Sequence, residues 1–259
     1  MYIENISGRL AFISGASAGI GEAVAKMLAS NGVNLILTAR RIDKLNELKS
    51  SFEKNYNIKV KVIKIDYSKT DEIINAINNL EDEWKNIDIL INNAGLALGK
   101  DVYYNNNLED VLQMVRVNCE GLIVLTRLIL PLILKSKYGH IVNLSSTAAD
   151  EGYNGGAVYC ATKSFVEMFG DSIRIELIDK PIKVTNIKPG AVNTEFSTVR
   201  FKGDKEKADN VYKGFNPLYA EDIADNIEYV LTRKSHVQIS SMTIMAENQG
   251  TATIIHREK

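Results

Sequence analysis

Few residues in this 259-residue chain could staple a fold or hold a metal: it has two cysteines, Cys119 and Cys160, and three scattered histidines, His140, His236 and His256. Two cysteines build no disulfide framework, and the histidines offer no zinc-ligand spacing, so no metal is expected. No run approaches the roughly 20 apolar residues that a membrane span needs. Residues 1–10 lack a basic stretch followed by an apolar core, so the chain reads as cytoplasmic. Neither sign of charge dominates, with 31 Lys and Arg against 32 Asp and Glu and a net charge of −1. That balance leaves no electrostatic footprint for nucleic acid or an anionic membrane. The expected partners are a small molecule and further copies of the chain. At 45% hydrophobic and 24% charged, residues 1–259 read as one α/β domain.

The chain alternates short apolar runs with helical periodicity. Strands are expected at 9–14, 33–39, 59–65, 87–91, 140–144, 183–187 and 237–245, and helices at 22–31, 42–56, 69–84, 108–135, 157–178 and 221–232. Pro131 should bend or divide the second half of the long 108–135 helix. Residues 195–215 are charged and irregular, long enough for a lid or substrate loop. This order predicts a parallel, doubly wound sheet of about seven strands with helices on both faces.

Three stretches at strand ends carry binding chemistry. The first strand runs into Gly15-Ala16-Ser17-Ala18-Gly19-Ile20-Gly21 and then a helix. Glycines let backbone amides approach a diphosphate, and the helix N-terminus adds unpaired donors and partial positive charge. The spacing differs from Gly-x-Gly-x-x-Gly but keeps its logic. The second strand ends in Ala39-Arg40-Arg41 with no acid. An acid there would read the ribose hydroxyls of NAD, whereas guanidinium groups match the 2′-phosphate of NADP. The fourth strand ends in Asn92-Asn93-Ala94-Gly95, small residues and amides that let backbone lie against a planar ligand.

Tyr159 and Lys163 stand four residues apart in a helical segment, on one face. A nearby cation favours phenolate over phenol, which would make Tyr159 a general acid/base suited to a carbinol proton. Thirteen residues before it, Ser146 ends a strand and could donate to a carbonyl oxygen beside the phenol. Asn118 lies inside a helix, where an asparagine is mildly unfavourable, so it is a tolerated polar residue or its amide holds a kink or a water.

With these motifs in register, the chain resembles the classical short-chain dehydrogenases/reductases over nearly its full length. The resemblance implies a Rossmann-type fold and a catalytic set of Asn118, Ser146, Tyr159 and Lys163, with Asn118 holding a relay water. It favours Ser146 over Ser145, and Ser14 stands where the family usually has Thr. It assigns Gly15, Ser17, Gly19, Ile20, Gly21, Arg40, Arg41, Asp66, Asn93, Ala94, Gly95, Tyr159, Lys163, Pro189, Gly190, Val192 and Thr194 to the cofactor. Residues 189–197 and 199–204 are similar to the NADP-dependent 3-hydroxy acid dehydrogenases. That narrower likeness implies NADP(H)-dependent oxidation of a small 3-hydroxy acid, with Arg200 clamping the substrate carboxylate. A broad carbonyl, diketone or steroid reductase and a non-catalytic NADP-binding regulator are the alternatives. The family commonly pairs the helices bearing Asn118 and Tyr159. Phe165, Val166, Met168 and Phe169 cannot all face one core, which favours a homotetramer. Whether Glu151 and Tyr153 line the pocket is left open.

Overall fold

Every residue of the first strand, β1 (Leu10–Ser14), is buried, which requires cover on both faces of the sheet. The computed structural model, which describes residues 3–258, shows that cover. Leu10 and Phe12 enter one apolar layer, and Ala11 and Ile13 enter the other, following the two-residue period of extended chain. β2 (Asn34–Ala39), β3 (Val60–Lys64), β4 (Ile89–Asn92), β5 (Gly139–Leu144), β6 (Ile182–Pro189) and β7 (Ser241–Ile244) complete the sheet. It is parallel throughout, in the order β3-β2-β1-β4-β5-β6-β7.

Helices α1 (Gly19–Ser30), α2 (Ile42–Asn55), α3 (Thr70–Asn78), α4 (Leu108–Val115), α5 (Leu122–Ile133), α6 (Ala157–Glu176), α7 (Glu195–Arg200), α8 (Lys205–Asn210) and α9 (Ala220–Leu231) follow in chain order. Val24 and Leu28 of α1, Leu45 and Phe52 of α2 and Ile223 and Ile227 of α9 pack one face. Ile73 and Ile77 of α3, Leu125 and Ile129 of α5 and Cys160 of α6 pack the other. Each fully buried aliphatic side chain contributes about 1.5–3 kcal/mol relative to exposure. Among the described residues no helix is long and apolar enough to cross a membrane.

The strand order places the site. The chain winds outward from β1 to β3, then returns to pair β4 with β1. The connections therefore leave β1 and β4 in opposite directions, and a crevice opens beyond their carboxyl ends.

Some elements depart from the expected pattern. The 69–84 helix ends at Asn78, and Asp82–Trp84 forms a separate tight turn. Asn79 bonds its own side chain to the Asn75 carbonyl, a local competitor to further helix. The 108–135 helix is divided at a wide π turn, Arg116–Gly121, while α5 continues through Pro131. At that turn the backbone approaches β3's exit so closely that a Cβ on Gly121 would lie 2.5 Å from the Tyr67 carbonyl oxygen. Residues 195–215 are not simply irregular, because Thr194 accepts from the Phe196 amide and Asp204 from the Lys207 amide. These caps start α7 and α8.

His140 is one of the few polar groups buried inside the sheet. Thr185 Oγ1 donates to the Ile239 carbonyl at 2.7 Å, so it accepts from His140 Nε2 at 2.9 Å, which assigns the tautomer. Burial, aided by Lys183 and Arg9, pushes the imidazole pKa down to about 3. The unfolded chain therefore takes up the proton first as pH falls below ~6.5, and stability drains away toward pH ~3 at roughly 1.4 kcal/mol per pH unit. Urea midpoints measured between pH 7 and pH 4.5 should fall steeply for the native chain and less steeply for His140→Asn.

Candidate active site

The crevice is a cleft of about 990 Å³. At one end lies the glycine turn, where Gly15 and Gly19 have φ of +69° and +57°, a region that glycine enters without strain. Gly15, Ser17, Gly19 and Ile20 line the cleft. Gly21 is absent from the lining, and its function is packing: a Cβ there would lie 2.3 Å from the Gly15 carbonyl oxygen. No side chain caps α1, so its first amides face the cleft as unpaired donors. Ser14 ties this turn to the next strand. Its hydroxyl donates to the Ile91 carbonyl and accepts from the Asn93 and Ala94 amides, both at 2.9 Å. Asn93 answers with its own amide to the Ser14 and Gly15 carbonyls.

Arg40 and Arg41 stand exposed at the end of β2 and line the same cleft. Arg41 is braced by the Ser17 hydroxyl and carbonyl, each at 3.2 Å, and pairs at 2.9 Å with Glu195 of α7. Glu195 also lines the cleft, so this ion pair bridges its mouth. Partial burial pushes the Asp66 carboxyl up, but the Ser68 amide and hydroxyl, with Arg40 and Lys69 nearby, bring it below the ordinary range.

Tyr159 and Lys163 lie one turn apart near the start of α6, both buried and both lining the cleft. Lys163 Nζ donates to the Leu144 carbonyl at 2.7 Å and sits 5.8 Å from the centre of the Tyr159 ring. Burial draws the Lys163 pKa down to about 8, against the opposing pull of Cys119 and Glu167. Burial also pushes the Tyr159 phenol above its ordinary range, reinforced by Tyr153 and opposed by the Ser146 hydroxyl and Arg200. Arg200 thus joins Lys163, the cation expected from the sequence, beside the phenol, and the chain by itself holds a neutral phenol.

The two serines at the end of β5 separate cleanly. Ser145 is buried and donates to the Lys163 carbonyl at 3.1 Å. Ser146 accepts from the Ala148 amide and faces the phenol. Asn118 occupies the π turn and is 2% exposed, outside the cleft lining. Its Oδ1 accepts from the Leu96 amide, and its Nδ2 donates to the Leu96 carbonyl and to Thr162 Oγ1. Both side-chain amide hydrogens are thus committed to the protein. The side chain braces the loop after β4 against α6.

At the far end Arg200 lies 5.3 Å from the centre of the Tyr159 ring. It donates to the Tyr153 hydroxyl at 2.8 Å and to the Gly99 carbonyl at 3.3 Å. A guanidinium has five N–H donors, so its Nη edge keeps donors for a ligand. Tyr153 lines the cleft and Glu151 does not.

A family model described as short chain dehydrogenase matches residues 9–205. The chain belongs to that family. The NADP-dependent 3-hydroxy acid dehydrogenase of Schizosaccharomyces pombe is 42% identical over 258 residues, covering 99% of this chain and 100% of that protein. A protein of the same description from Escherichia coli K12 is 39% identical over 96% of this chain and 100% of its own length. Among solved structures, the closed form of serine dehydrogenase complexed with NADP+ superposes with a TM-score of 0.89 at 38% identity, over 96% of this chain and 100% of that one.

Within this short-chain dehydrogenase, Pro189, Gly190, Val192 and Thr194 line the cleft beyond β6. Gln249 holds that wall, accepting from the Ala191 amide at 2.9 Å and donating to the Thr251 carbonyl at 3.0 Å. It lies in a C-terminal segment that lines the cleft through Ala252, Thr253, Ile255 and Arg257. Lys100 lines it as well. Neither was apparent from the sequence, since no motif or periodicity marks residues 246–258.

The two serines are separable by experiment. Ser145→Ala should cost about 1 kcal/mol in urea unfolding with only modest loss of turnover. Ser146→Ala should leave the urea midpoint in place and lower kcat at least ~100-fold.

Proposed function

We propose that the chain is an NADP(H)-dependent oxidoreductase that interconverts the 3-hydroxyl and 3-oxo groups of small 3-hydroxy acids of the serine, allo-threonine and 3-hydroxypropionate type. The observation that carries this reading is the Arg200 guanidinium beside the Tyr159 ring. A carboxylate held bidentately there would leave a neighbouring carbinol oxygen within reach of the phenol. The relatives described as 3-hydroxy acid and serine dehydrogenases support the same substrate class.

The residues present fit the dinucleotide. The uncapped start of α1 and the left-handed Gly15 and Gly19 suit a diphosphate, held by the turn that includes Ser17 and Ile20. Arg40 and Arg41 suit a 2′-phosphate, and Arg41 would exchange Glu195 for it. Asp66, Asn93, Ala94 and Gly95 would bound the adenosine and central portions, and Pro189, Gly190, Val192 and Thr194 the nicotinamide end. When bound, the nicotinamide supplies the acceptor or donor of hydride. Tyr159 exchanges the hydroxyl proton, Ser146 positions and polarises the oxygen, Lys163 holds the nicotinamide ribose and supplies positive charge near the phenol, and Asn118 holds a water that relays the proton outward. α7 and α8 form the substrate loop.

The assembly we propose is a homotetramer in the cytoplasm. Its support is an outward apolar face on the helices that flank Asn118 and Tyr159. Leu108, Leu112, Val115 and Ile123 are exposed on α4 and α5, as are Met168 and Ile175 on α6. Val166 turns inward, while Phe165 and Phe169 stack at 5.8 Å.

Initial rates with L-serine, L-allo-threonine, 3-hydroxypropionate, malonic semialdehyde and a neutral diketone, with NADP(H) and NAD(H) in parallel, test the reading. Acid turnover with NADP is expected; turnover of the diketone alone would remove it. Arg41→Ala should raise the KM for NADPH about 10- to 100-fold and leave that for NADH unchanged. Alcohol oxidation should quicken as pH rises, because the raised phenol must lose its proton. Arg200→Leu should move that limb to higher pH and cut kcat/KM for acids about 100-fold. Arg200→Lys should keep the limb in place while still weakening acid binding.

A further inference from the structure

The substrate end of the cleft carries more positive charge than one carboxylate neutralises. Lys100, Arg200 and Arg257 line it from three separate parts of the chain: the loop after β4, the end of α7 and the C-terminal segment. Among the described residues none of the three has an ion pair, whereas several carboxylates are paired with other cations. Glu195 pairs with Arg41, Asp110 with Lys202, Asp150 with Lys188 and Asp204 with Lys207.

The three cations are held in place. The Gly99 amide donates to the Arg200 carbonyl at 2.8 Å and Arg200 Nε returns to the Gly99 carbonyl, so the residue before Lys100 is knitted to Arg200. On the other side, Gly155 adopts φ +76° against the Lys100 carbonyl, where a Cβ would come within 2.1 Å. The Lys100 backbone is therefore clamped while its side chain remains exposed. Arg257 is anchored by the Lys213 and Val211 carbonyls and lies 5.1 Å from the centre of the Phe215 ring. Partial burial, then Arg200 and Arg257, push the Lys100 ammonium below its ordinary pKa, a sign that the three charges feel one another. Like charges gathered without a counter-ion oppose folding, and a bound anion relieves them.

We propose that Lys100 and Arg257 form, beside Arg200, a second anion-accepting position, so that the chain prefers 3-hydroxy acids bearing a further carboxylate over monocarboxylates. In oxidation the C3–H bond breaks, with its electron pair passing to the oxidised nicotinamide. The O–H proton passes to Tyr159 and on to solvent as the carbonyl forms. The alcohol is oxidised and NADP+ reduced. Arg200 takes the C1 carboxylate, one carbon removed from the reacting C3, and the second carboxylate reaches Lys100 and Arg257. This chemistry rests on the oxidoreductase reading above; the binding preference stands apart from it.

The test is calorimetric titration of glutarate and of butyrate, a dianion and a monoanion without a reactive hydroxyl, into the full chain with NADP+ present. Glutarate should bind about tenfold tighter, and Lys100→Met or Arg257→Met should bring the two acids to within about threefold of each other. Equal affinity in the native chain, or a glutarate preference untouched by both substitutions, would overturn the proposal. Turnover of 3-hydroxyglutarate against 3-hydroxybutyrate separates the two readings. A dianion that binds tighter while neither acid is oxidised supports the second anion position and removes the acid-oxidoreductase reading.

Discussion

The cleft depends on one junction, where β1 and β4 lie side by side and their connections leave in opposite directions. Ser14 makes that junction rigid. A single hydroxyl donates to the Ile91 carbonyl and accepts two amides from the opposite loop, using its whole hydrogen-bonding capacity. Asn93 then reaches back to two carbonyls of the glycine turn. The turn, the loop after β4 and the start of α1 are thus one bonded unit. Gly15 and Gly21 are the residues without which this unit could not close: a Cβ on either would meet atoms at 3.0 Å or less.

A second constraint is the competition between burial and charge at the proton-transfer end. Burial alone drives the Tyr159 phenol up and the Lys163 ammonium down, so each group loses its charged form more easily than in water. Arg200 and Ser146 oppose this at the phenol. Lys163 spends one donor on the Leu144 carbonyl, which fixes its position beneath the ring and leaves its charge available to a ligand. A neutral acid beside a buried cation is suited to giving up a proton at neutral pH and taking one back under more basic conditions.

Charge along the cleft is uneven. Arg41 has a carboxylate partner in Glu195, whereas Lys100, Arg200 and Arg257 have none among the described residues. A paired arginine must exchange partners when an anion arrives, and an unpaired one need not. An incoming anion must therefore displace a carboxylate at Arg41 but not at Arg200, and this difference comes from side chains far apart in sequence.

The chain's alternating pattern determined the parallel sheet, because continuous apolar strands flanked by amphipathic helices have few other ways to bury both faces. The glycine turn, Arg40-Arg41, Asn93 to Gly95 and the Tyr159/Lys163 pair were legible because each lies within a few residues of its own strand or helix end. The wide turn at Arg116–Gly121 was not, since it follows from the close passage of Gly121 over the Tyr67 carbonyl, a contact between distant segments. The same holds for Gln249 bracing Ala191, for Arg200 reaching the Tyr159 ring, and for Lys100 and Arg257 lining one cleft. Short-range patterns record what a segment can become. Burial, counter-charge and the direction of a side chain are set by neighbours brought in from elsewhere, and only the tertiary structure decided those.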